Sequence, residues 1–338
     1  MGQASLIPDR YLRNGLRIAE ILVGYACNAR CGFCYNPPLT PELLAQELSL
    51  EQVAILMREA RLNAYNGVWL TGGEPCLRKD IPQMLLLARK LGFEHIQIGT
   101  NGVRLSSLHY AKKLAASGLN FAKISLHSRS APVHDGILGI QGAFAAAVKA
   151  VSNLRALGVS VSVNFVVTSR NYKEIPDFFR FCLKELELAQ FDVIFLHERG
   201  MMKFHQDLGV SYSEVVPYLR QAFSDYSAFS RPVGFPILIN IPPCVAPELE
   251  PWISDWSVCE NPDSLAHSSD RSINLGAMKS AQRKKAASCS ECIWDVRCLG
   301  FERDYARRWG ESEFRPIISP PGDQWRVLSQ GCRRAPET

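Results

Sequence analysis

The sequence predicts an α/β protein in which a parallel sheet, built from six strand–helix units, is followed by a small cysteine-rich module. Through the first two thirds of the chain, segments of helical periodicity alternate with six short β-rich runs, at residues 18–24, 67–71, 95–99, 121–126, 159–168 and 192–196. Such alternation implies a parallel sheet with right-handed crossovers. Six units are too few for a closed barrel of eight strands. The pattern ends near residue 230, where prolines and then polar residues take over.

Helix signals separate the β-rich runs. Ser49 and Gln52 form the signature of a capping box, which opens a helix after the first run. Asp80 is placed to cap the next helix and Gly92 to end it. Later glycines end two alanine-rich helices in the same way. We therefore divide the chain into an N-terminal extension (1–17), a domain of strand–helix units (18–230) and a cysteine-rich module (231–338).

Composition narrows the class of protein. The chain has 338 residues, of which 47% are hydrophobic and 21% are charged, and its net charge is +5. These values are ordinary for a globular protein with one large domain and one small one. No apolar run approaches the roughly 20 residues that span a membrane, the N-terminus has no signal-peptide core, and the basic cluster at 283–285 is short. We therefore expect a cytoplasmic protein that binds neither DNA nor a membrane.

Three cysteines close to the start are the most informative residues. Cys27, Cys31 and Cys34 stand on the loop that leaves the first predicted strand, where α/β enzymes place their chemistry. The chain has eleven cysteines and no export signal, which favours metal binding over disulfides. Three thiolates can bind three irons of a cubane cluster and leave the fourth iron open, and an open coordination position is typical of a catalytic metal centre.

Four motifs in register carry a resemblance to a known family. Cys-x3-Cys-x-aromatic-Cys follows the first strand, a Gly-Gly-Glu turn (72–74) follows the second, Asn101 follows the third and Ser125 ends the fourth. This order resembles the radical S-adenosylmethionine (AdoMet) superfamily over about residues 18–230. The resemblance implies a partial (β/α)6 TIM-like barrel that is open on one side.

The same resemblance implies the cofactors and their ligands. A [4Fe-4S] cluster bound by Cys27, Cys31 and Cys34 would keep one open iron site, at which AdoMet binds and is reductively cleaved to a 5′-deoxyadenosyl radical. The Gly-Gly-Glu turn would lie at the amino group of AdoMet and the aromatic residue of the cysteine motif at its adenine. The residues implied to bind AdoMet are Phe33, Gly72, Gly73, Glu74, Asn101, Ser125 and Asn164.

Polar residues at other strand ends are candidates for substrate binding. His127 follows the fourth strand, whereas His197, Glu198 and Arg199 follow the sixth, beside the expected opening of the barrel. Histidine transfers protons near neutral pH, and arginine binds carboxylates or phosphates. An exposed loop or an internal ion pair is the alternative interpretation of the triplet 197–199.

A second cysteine group lies in the module. Cys289-x2-Cys292-x5-Cys298 resembles part of the SPASM and twitch auxiliary-cluster domains that follow many radical AdoMet barrels, and Glu302 occupies the place of the next cysteine in the longer version. The resemblance implies one auxiliary [4Fe-4S] cluster, although a zinc knuckle allows the same spacing. Candidates for the fourth ligand are Cys244, Cys259 and Cys332, with Cys244 preferred.

The resemblance implies an enzyme that abstracts hydrogen from a small-molecule or peptide substrate in natural-product, cofactor or modified-peptide biosynthesis. A ribosomal-peptide maturase that cross-links or epimerises its substrate is one alternative, and a non-catalytic iron–sulfur or zinc-binding scaffold is another. An external donor such as flavodoxin or ferredoxin would supply the electron. With about 17 residues before the first strand, we expect no leader-binding winged helix there.

Overall fold

The computed structural model describes residues 16–228, 235–254, 265–267 and 272–319. Two candidate cluster ligands, Cys259 and Cys332, lie outside the described residues, as does most of the predicted N-terminal extension. The strands are β1 (Ile18–Leu22), β2 (Gly67–Thr71), β3 (His95–Thr100), β4 (Phe121–Ser125), β5 (Ser160–Val166), β6 (Gln190–Ile194), β7 (Phe235–Ile239), β8 (Ile253–Ser254), β9 (Leu265–His267), β10 (Ser272–Asn274), β11 (Arg283–Lys284) and β12 (Phe301–Glu302).

The helices alternate with the first strands and then become sparse. They are α1 (Pro41–Leu44), α2 (Leu50–Leu62), α3 (Ile81–Lys90), α4 (Leu108–Ala116), α5 (Ala131–Leu138), α6 (Ala143–Ala156), α7 (Ile175–Arg180), α8 (Tyr212–Ser227), α9 (Leu275–Gln282) and α10 (Arg303–Trp309). Within the described ranges, no single helix is long and apolar enough to cross a membrane, and the bent pair α5–α6 meets that test only as a pair, by length and composition.

The first six strands form the predicted parallel sheet. β1 to β6 pair side by side in chain order, and the sheet curls into a half-barrel, which confirms the fold class. Four further strands lengthen the sheet, because β7 and β8 continue it beyond β6 while β9 and β10 add to β1 at the other edge. The segment assigned to the module thus also builds both edges of the sheet, and the boundary at residue 230 stays a prediction.

The added strands carry weak sequence signals. β8 has two residues, and β9 and β10 have three each, which is too short for periodicity to identify. β7 contains Pro236, which argues against a central strand. β8 pairs only with Leu238 and Ile239, so Pro236 has a neighbouring strand on one side only.

Alternate residues of the strands separate the core from the concave face. Ala122 and Ile124 of β4 and Val193 of β6 are fully buried in the hydrophobic core beneath the helices. Side chains of the alternating positions point the other way. Among them, the Lys123 ammonium donates to the carboxylate of Asp192, so the concave face of the half-barrel is polar.

One predicted helix cap is confirmed and another is wrong. The capping box of α2 is present, with the Ser49 N–H donating to Gln52 Oε1 at 2.7 Å and the Gln52 N–H donating to Ser49 Oγ at 3.1 Å. Asp80 does precede α3, but its side chain makes no cap hydrogen bond. It binds the Arg78 guanidinium at 3.0 and 2.7 Å instead, because two charged N–H groups are stronger donors than a helical amide. The prediction that the Asp80 side chain caps α3 is therefore wrong.

The last third of the chain packs against the barrel through α10. β11 and β12 form a separate antiparallel ribbon, and α10 follows β12 directly. Tyr305 of α10 stacks on Tyr212 of α8 at a centroid distance of 4.2 Å, and its hydroxyl accepts the Tyr212 N–H at 2.7 Å. Phe314 extends this aromatic contact by stacking on Phe301 at 3.8 Å.

Candidate functional site

The first three cysteines lie together on the loop after β1. The Cys34 N–H donates to the carbonyl of Cys31 at 3.1 Å, and the Ala29 N–H donates to the sulfur of Cys27 at 3.4 Å. Burial raises the pKa of Cys27 to about 11 and, together with the charges of the two neighbouring thiols, raises that of Cys31 to about 12. Because a metal binds the thiolate and releases the thiol proton, metal binding at these cysteines depends on pH.

The Gly-Gly-Glu turn lies directly on this loop. The Gly73 N–H donates to the Gly24 carbonyl at 2.8 Å, and the Glu74 N–H donates to the Ala26 carbonyl at 2.7 Å. Gly72 has a φ of 127°, and a Cβ on it would lie 2.2 Å from the Gly24 oxygen. A Cβ on Gly73 would lie 2.3 Å from the Ala26 oxygen. Glycine is required at both positions because the two backbones touch.

Glu74 is buried and holds three neighbouring groups. Its carboxylate accepts from the Thr100 hydroxyl at 2.8 Å and from the backbone N–H groups of Asn101 at 2.7 Å and Cys76 at 3.0 Å. Burial raises the pKa of Glu74, and these hydrogen bonds oppose the increase. Glu74 thus ties the end of β2 to the end of β3. Its contact with AdoMet stays a prediction.

Asn101 links the end of β3 to the cysteine loop. Its amide donates to the side-chain oxygen of Asn28, next to Cys27, at 2.8 Å, and its own oxygen accepts the Val103 N–H at 3.0 Å. Asn36, after the third cysteine, donates to the Gly72 carbonyl at 3.2 Å. Sequence reasoning missed Asn28 and Asn36, whose only signal was their position beside the cysteine motif.

His127 lies against the aromatic residue of the cysteine motif. Its ring meets Phe33 edge-on at a centroid distance of 4.9 Å. Its Nδ1 accepts the Val166 N–H at 3.1 Å, which assigns the ring proton to Nε2, and Nε2 has no partner among the described residues. Burial lowers the pKa of His127 well below its usual value, and that of the neighbouring His134 to about 4. The neutral ring is therefore a hydrogen-bond donor, and proton transfer by it stays a prediction.

Ser125 and Asn164 are register partners on β4 and β5. The side-chain oxygen of Asn164 is buried and, within the described ranges, accepts no hydrogen bond. A buried acceptor without a donor costs free energy unless a ligand supplies one. This orphaned oxygen, the Phe33 ring and the three thiols fit a cluster that carries a ligand with donor groups. The residues predicted to bind the cofactor therefore lie at neighbouring strand ends, although each individual role stays a prediction.

Four cysteines of the last third line one cavity. Its lining includes Cys244, Cys289, Cys292 and Cys298. The cavity volume is ≈ 400 Å³, which includes the part that is open to solvent. Burial, followed by the charges of the other three thiols, raises the pKa of Cys244 to about 12. The Gly300 N–H donates to the sulfur of Cys298 at 3.2 Å. The structure brings the preferred fourth candidate, Cys244, next to the Cys-x2-Cys-x5-Cys motif, and their role as ligands stays a prediction.

The triplet after β6 binds the module. Arg308 of α10 donates to both oxygens of Glu198, at 3.1 and 3.0 Å. Arg199 donates to Asp304 at 3.2 Å and to Glu302 at 3.4 Å. His197 Nδ1 lies 3.7 Å from Glu302. Glu198 and Arg199 thus form ion pairs within the chain, as the alternative interpretation of the triplet expected, and a substrate role for the triplet stays a prediction.

Glu302 is a buried carboxylate that pairs with two arginines. It takes the place at which the longer auxiliary domain has a cysteine, and it is 5% exposed. Arg199 and Arg283 both pair with its carboxylate. The sequence contained no local signal for this arrangement, since its partners are far apart in the chain.

Comparison with known proteins agrees with these observations. Residues 21–182 match a family model described as the Radical SAM superfamily. A probable GTP 3′,8-cyclase of Saccharolobus solfataricus is 34% identical over 205 residues, which cover 59% of this chain and 64% of that protein. One of Metallosphaera sedula is 31% identical over 205 residues, 59% of this chain and 63% of that protein. The chain thus spans less than two thirds of the length of these relatives.

Two solved structures share the fold. Streptococcus suis SuiB bound to S-adenosylmethionine superimposes with a TM-score of 0.66 at 16% identity, covering 90% of this chain and 77% of that one. The anSMEcpe protein with bound AdoMet superimposes with a TM-score of 0.62 at 16% identity, covering 89% and 93%. The half-barrel and the cysteine loop with its Gly-Gly-Glu turn agree with the match of residues 21–182 to the radical SAM superfamily, whose members use a [4Fe-4S] cluster and S-adenosylmethionine.

Proposed function

We propose that the chain is a radical SAM enzyme that abstracts hydrogen from its substrate. Cys27, Cys31 and Cys34 would hold a [4Fe-4S] cluster, which together with AdoMet would supply the 5′-deoxyadenosyl radical. One observation carries the proposal: the three thiols share a loop that is fixed, backbone to backbone, by the Gly-Gly-Glu turn. A site that must hold a ligand at a defined position benefits from such a rigid contact.

The surrounding residues position the cofactor and exclude water. Gly72 and Gly73 fix the path of the cysteine loop, while Glu74 holds the ends of β2 and β3. Phe33 and the buried His127 form an apolar wall with one N–H donor, and water excluded there cannot quench a reactive intermediate. We assign AdoMet contacts to this wall and to the orphaned oxygen of Asn164.

We further propose one auxiliary [4Fe-4S] cluster bound by Cys244, Cys289, Cys292 and Cys298. Four cysteines around one cavity support complete ligation by protein, which is typical of clusters that transfer electrons. The backbone N–H groups of Gly300 and Ile317 donate to the sulfurs of Cys298 and Cys292, at 3.2 and 3.4 Å. Hydrogen bonds of this kind set the reduction potential of a cluster.

The substrate is a small molecule or a peptide, and the product belongs to natural-product, cofactor or modified-peptide biosynthesis. The named curated relatives point to a nucleotide substrate over the barrel segment that they share with this chain. Fold neighbours have been solved with peptides, as in SuiB with precursor peptide SuiA. Flavodoxin or ferredoxin is the proposed electron donor.

Iron and sulfide analysis of the anaerobic protein tests the assignment of the two sites. If each group holds a four-iron cluster, the Cys27/Cys31/Cys34→Ala variant retains about half the iron, and the Cys289/Cys292/Cys298→Ala variant retains the other half. Cys182→Ala is the matched control, because Cys182 is buried in the hydrophobic core. Stoichiometric zinc in place of iron in the second site would overturn the auxiliary cluster, and loss of neither half would overturn both assignments.

A further inference from the structure

The loop after β6 lies directly on the cysteine loop. The Met201 N–H donates to the carbonyl of Cys34 at 2.8 Å. Gly200 has a φ of 59°, and a Cβ on it would lie 2.4 Å from the oxygens of both Cys34 and Tyr35. The two backbones are therefore in contact at the third cysteine, with no side chain between them that could absorb a displacement.

The same loop covers the second cysteine as well. A Cβ on Gly32, next to Cys31, would lie 2.8 Å from the Leu208 side chain and 3.0 Å from that of His205. Residues 200–208 thus contact the cysteine loop around residues 32–35, whereas the Gly-Gly-Glu turn contacts it at residues 24–26. The segment that carries Cys34 is therefore held by both neighbours, because Met201 donates to the Cys34 carbonyl and Asn36 donates to the Gly72 carbonyl of the turn.

Two arginine contacts attach this loop to the module. Arg199, directly before Gly200, donates from Nε to Asp304 and from Nη2 to Glu302, at 3.2 and 3.4 Å. Arg308 binds Glu198 and also donates to the carbonyl of Gln206. Both ends of the loop are therefore held by β12 and α10.

The module side of these contacts leads to the second cysteine group. Glu302 ends β12, four residues after Cys298. Gly300, between them, has a φ of 85°, and a Cβ on it would lie 2.0 Å from the Lys284 oxygen of β11. Cys298 is therefore connected to Glu302 through a tightly packed turn, and Glu302 to Cys34 through Arg199 and Gly200.

We propose that Arg199 is a positioning residue for the cluster of Cys27, Cys31 and Cys34, which it reaches from the module through Gly200, Met201 and the Cys34 carbonyl. The inference rests on the proposed function, because it assumes that those three cysteines hold the cluster. Docking of the module then sets the geometry of the AdoMet-binding cluster. Coupling between separate sites requires a contiguous physical connection, and the contacts above provide one.

Three variants test this inference in the fully loaded protein. Arg199→Gln removes the charge and both contacts, whereas Arg199→Lys keeps the charge but loses the two-pronged contact. Arg220→Gln is the matched control, because Arg220 of α8 pairs with Glu248 at 2.6 Å in a part of the barrel that does not touch the cysteine loop. AdoMet affinity is measured by equilibrium dialysis, and the cluster is observed by the EPR signal that changes when AdoMet is added.

We expect Arg199→Gln to weaken AdoMet binding about 10-fold, which is a loss of about 1.4 kcal/mol in binding free energy. The EPR spectrum of that cluster should change while the iron content stays the same. Arg199→Lys should fall between wild type and Arg199→Gln, and Arg220→Gln should match wild type. If the wild type binds AdoMet and Arg199→Gln has the same AdoMet affinity and the same EPR spectrum, the positioning role of Arg199 is wrong. The proposed function is not affected by that result. A wild type without a cluster, or without AdoMet binding, overturns the proposed function itself.

Discussion

Gly73→Ala is the substitution that most directly probes how the site is built. The new Cβ would lie 2.3 Å from the Ala26 oxygen and 2.4 Å from the Tyr25 oxygen, well inside van der Waals contact. Both obstacles are backbone atoms, so no side-chain rotation relieves the clash. The Gly-Gly-Glu turn must move away from the cysteine loop.

The cost follows from the contacts that this movement breaks. The turn makes two backbone hydrogen bonds with the loop, from Gly73 to Gly24 and from Glu74 to Ala26. Each is worth about 1 kcal/mol, and inserting a methyl group into a packed site costs about 1–3 kcal/mol more. We therefore expect Gly73→Ala to lower the free energy of unfolding by about 3–5 kcal/mol and to weaken AdoMet binding.

Chemical denaturation measures the first effect and AdoMet titration the second. Gly136→Ala is the matched control, because Gly136 lies inside α5 and a Cβ there meets nothing within 4 Å. In a helix interior alanine is favoured over glycine by about 0.5–1 kcal/mol, so this control should be slightly stabilising. If the free energies of unfolding of Gly73→Ala and the control differ by less than about 0.5 kcal/mol, the turn does not hold the cysteine loop in place as described.

Two further predictions concern buried titratable groups. Glu74→Ala leaves three donors without their acceptor, so we expect a loss of about 2–4 kcal/mol in the free energy of unfolding and weaker AdoMet binding at unchanged iron content; an unchanged AdoMet affinity would remove Glu74 from the cofactor site. The pKa of His134 is held near 4 in the folded state against 6.5 in the reference state. The unfolded chain therefore takes up the proton first, and stability that is complete above pH 6.5 falls by about 3 kcal/mol as the pH drops toward 4. In the folded protein the backbone N–H of His127 donates to His134 Nδ1 at 3.1 Å. His134→Asn, which keeps an acceptor for this backbone N–H, should flatten the slope in urea unfolding between those pH values, and an equal slope in both proteins would contradict the assignment.

Short-range patterns predicted the first six strands of the sheet and placed the cysteine loop next to the Gly-Gly-Glu turn. The six β-rich runs each overlap one of β1 to β6, because buried parallel strands are continuous apolar segments of sufficient length; the run 95–99 misses the last residue of β3, and the run 192–196 misses the first two of β6. The cysteine motif and the Gly-Gly-Glu turn stand at consecutive strand ends, so parallel pairing of β1 with β2 brings them together. Both predictions needed only local sequence and the rule that parallel strands end at one edge.

Long-range charge pairing could not be predicted in this way. Glu198 and Arg308 lie 110 residues apart, and Arg199 and Glu302 lie 103 apart. Nothing in the local sequence distinguishes a charge that binds substrate from one that binds another part of the chain. The sequence of the triplet 197–199 therefore left a substrate site and an internal ion pair open, and the structure shows ion pairs from Glu198 and Arg199 to the module.

Reductive cleavage of AdoMet tests the central claim most directly. The anaerobic, iron-loaded protein is mixed with AdoMet and dithionite, and 5′-deoxyadenosine is measured by liquid chromatography. We expect wild type to form 5′-deoxyadenosine, the Cys27/Cys31/Cys34→Ala variant to form none, and the core control Cys182→Ala to resemble wild type. A wild type that carries its full iron and binds AdoMet but forms no 5′-deoxyadenosine would contradict the account and would leave a non-catalytic iron–sulfur scaffold as the better description.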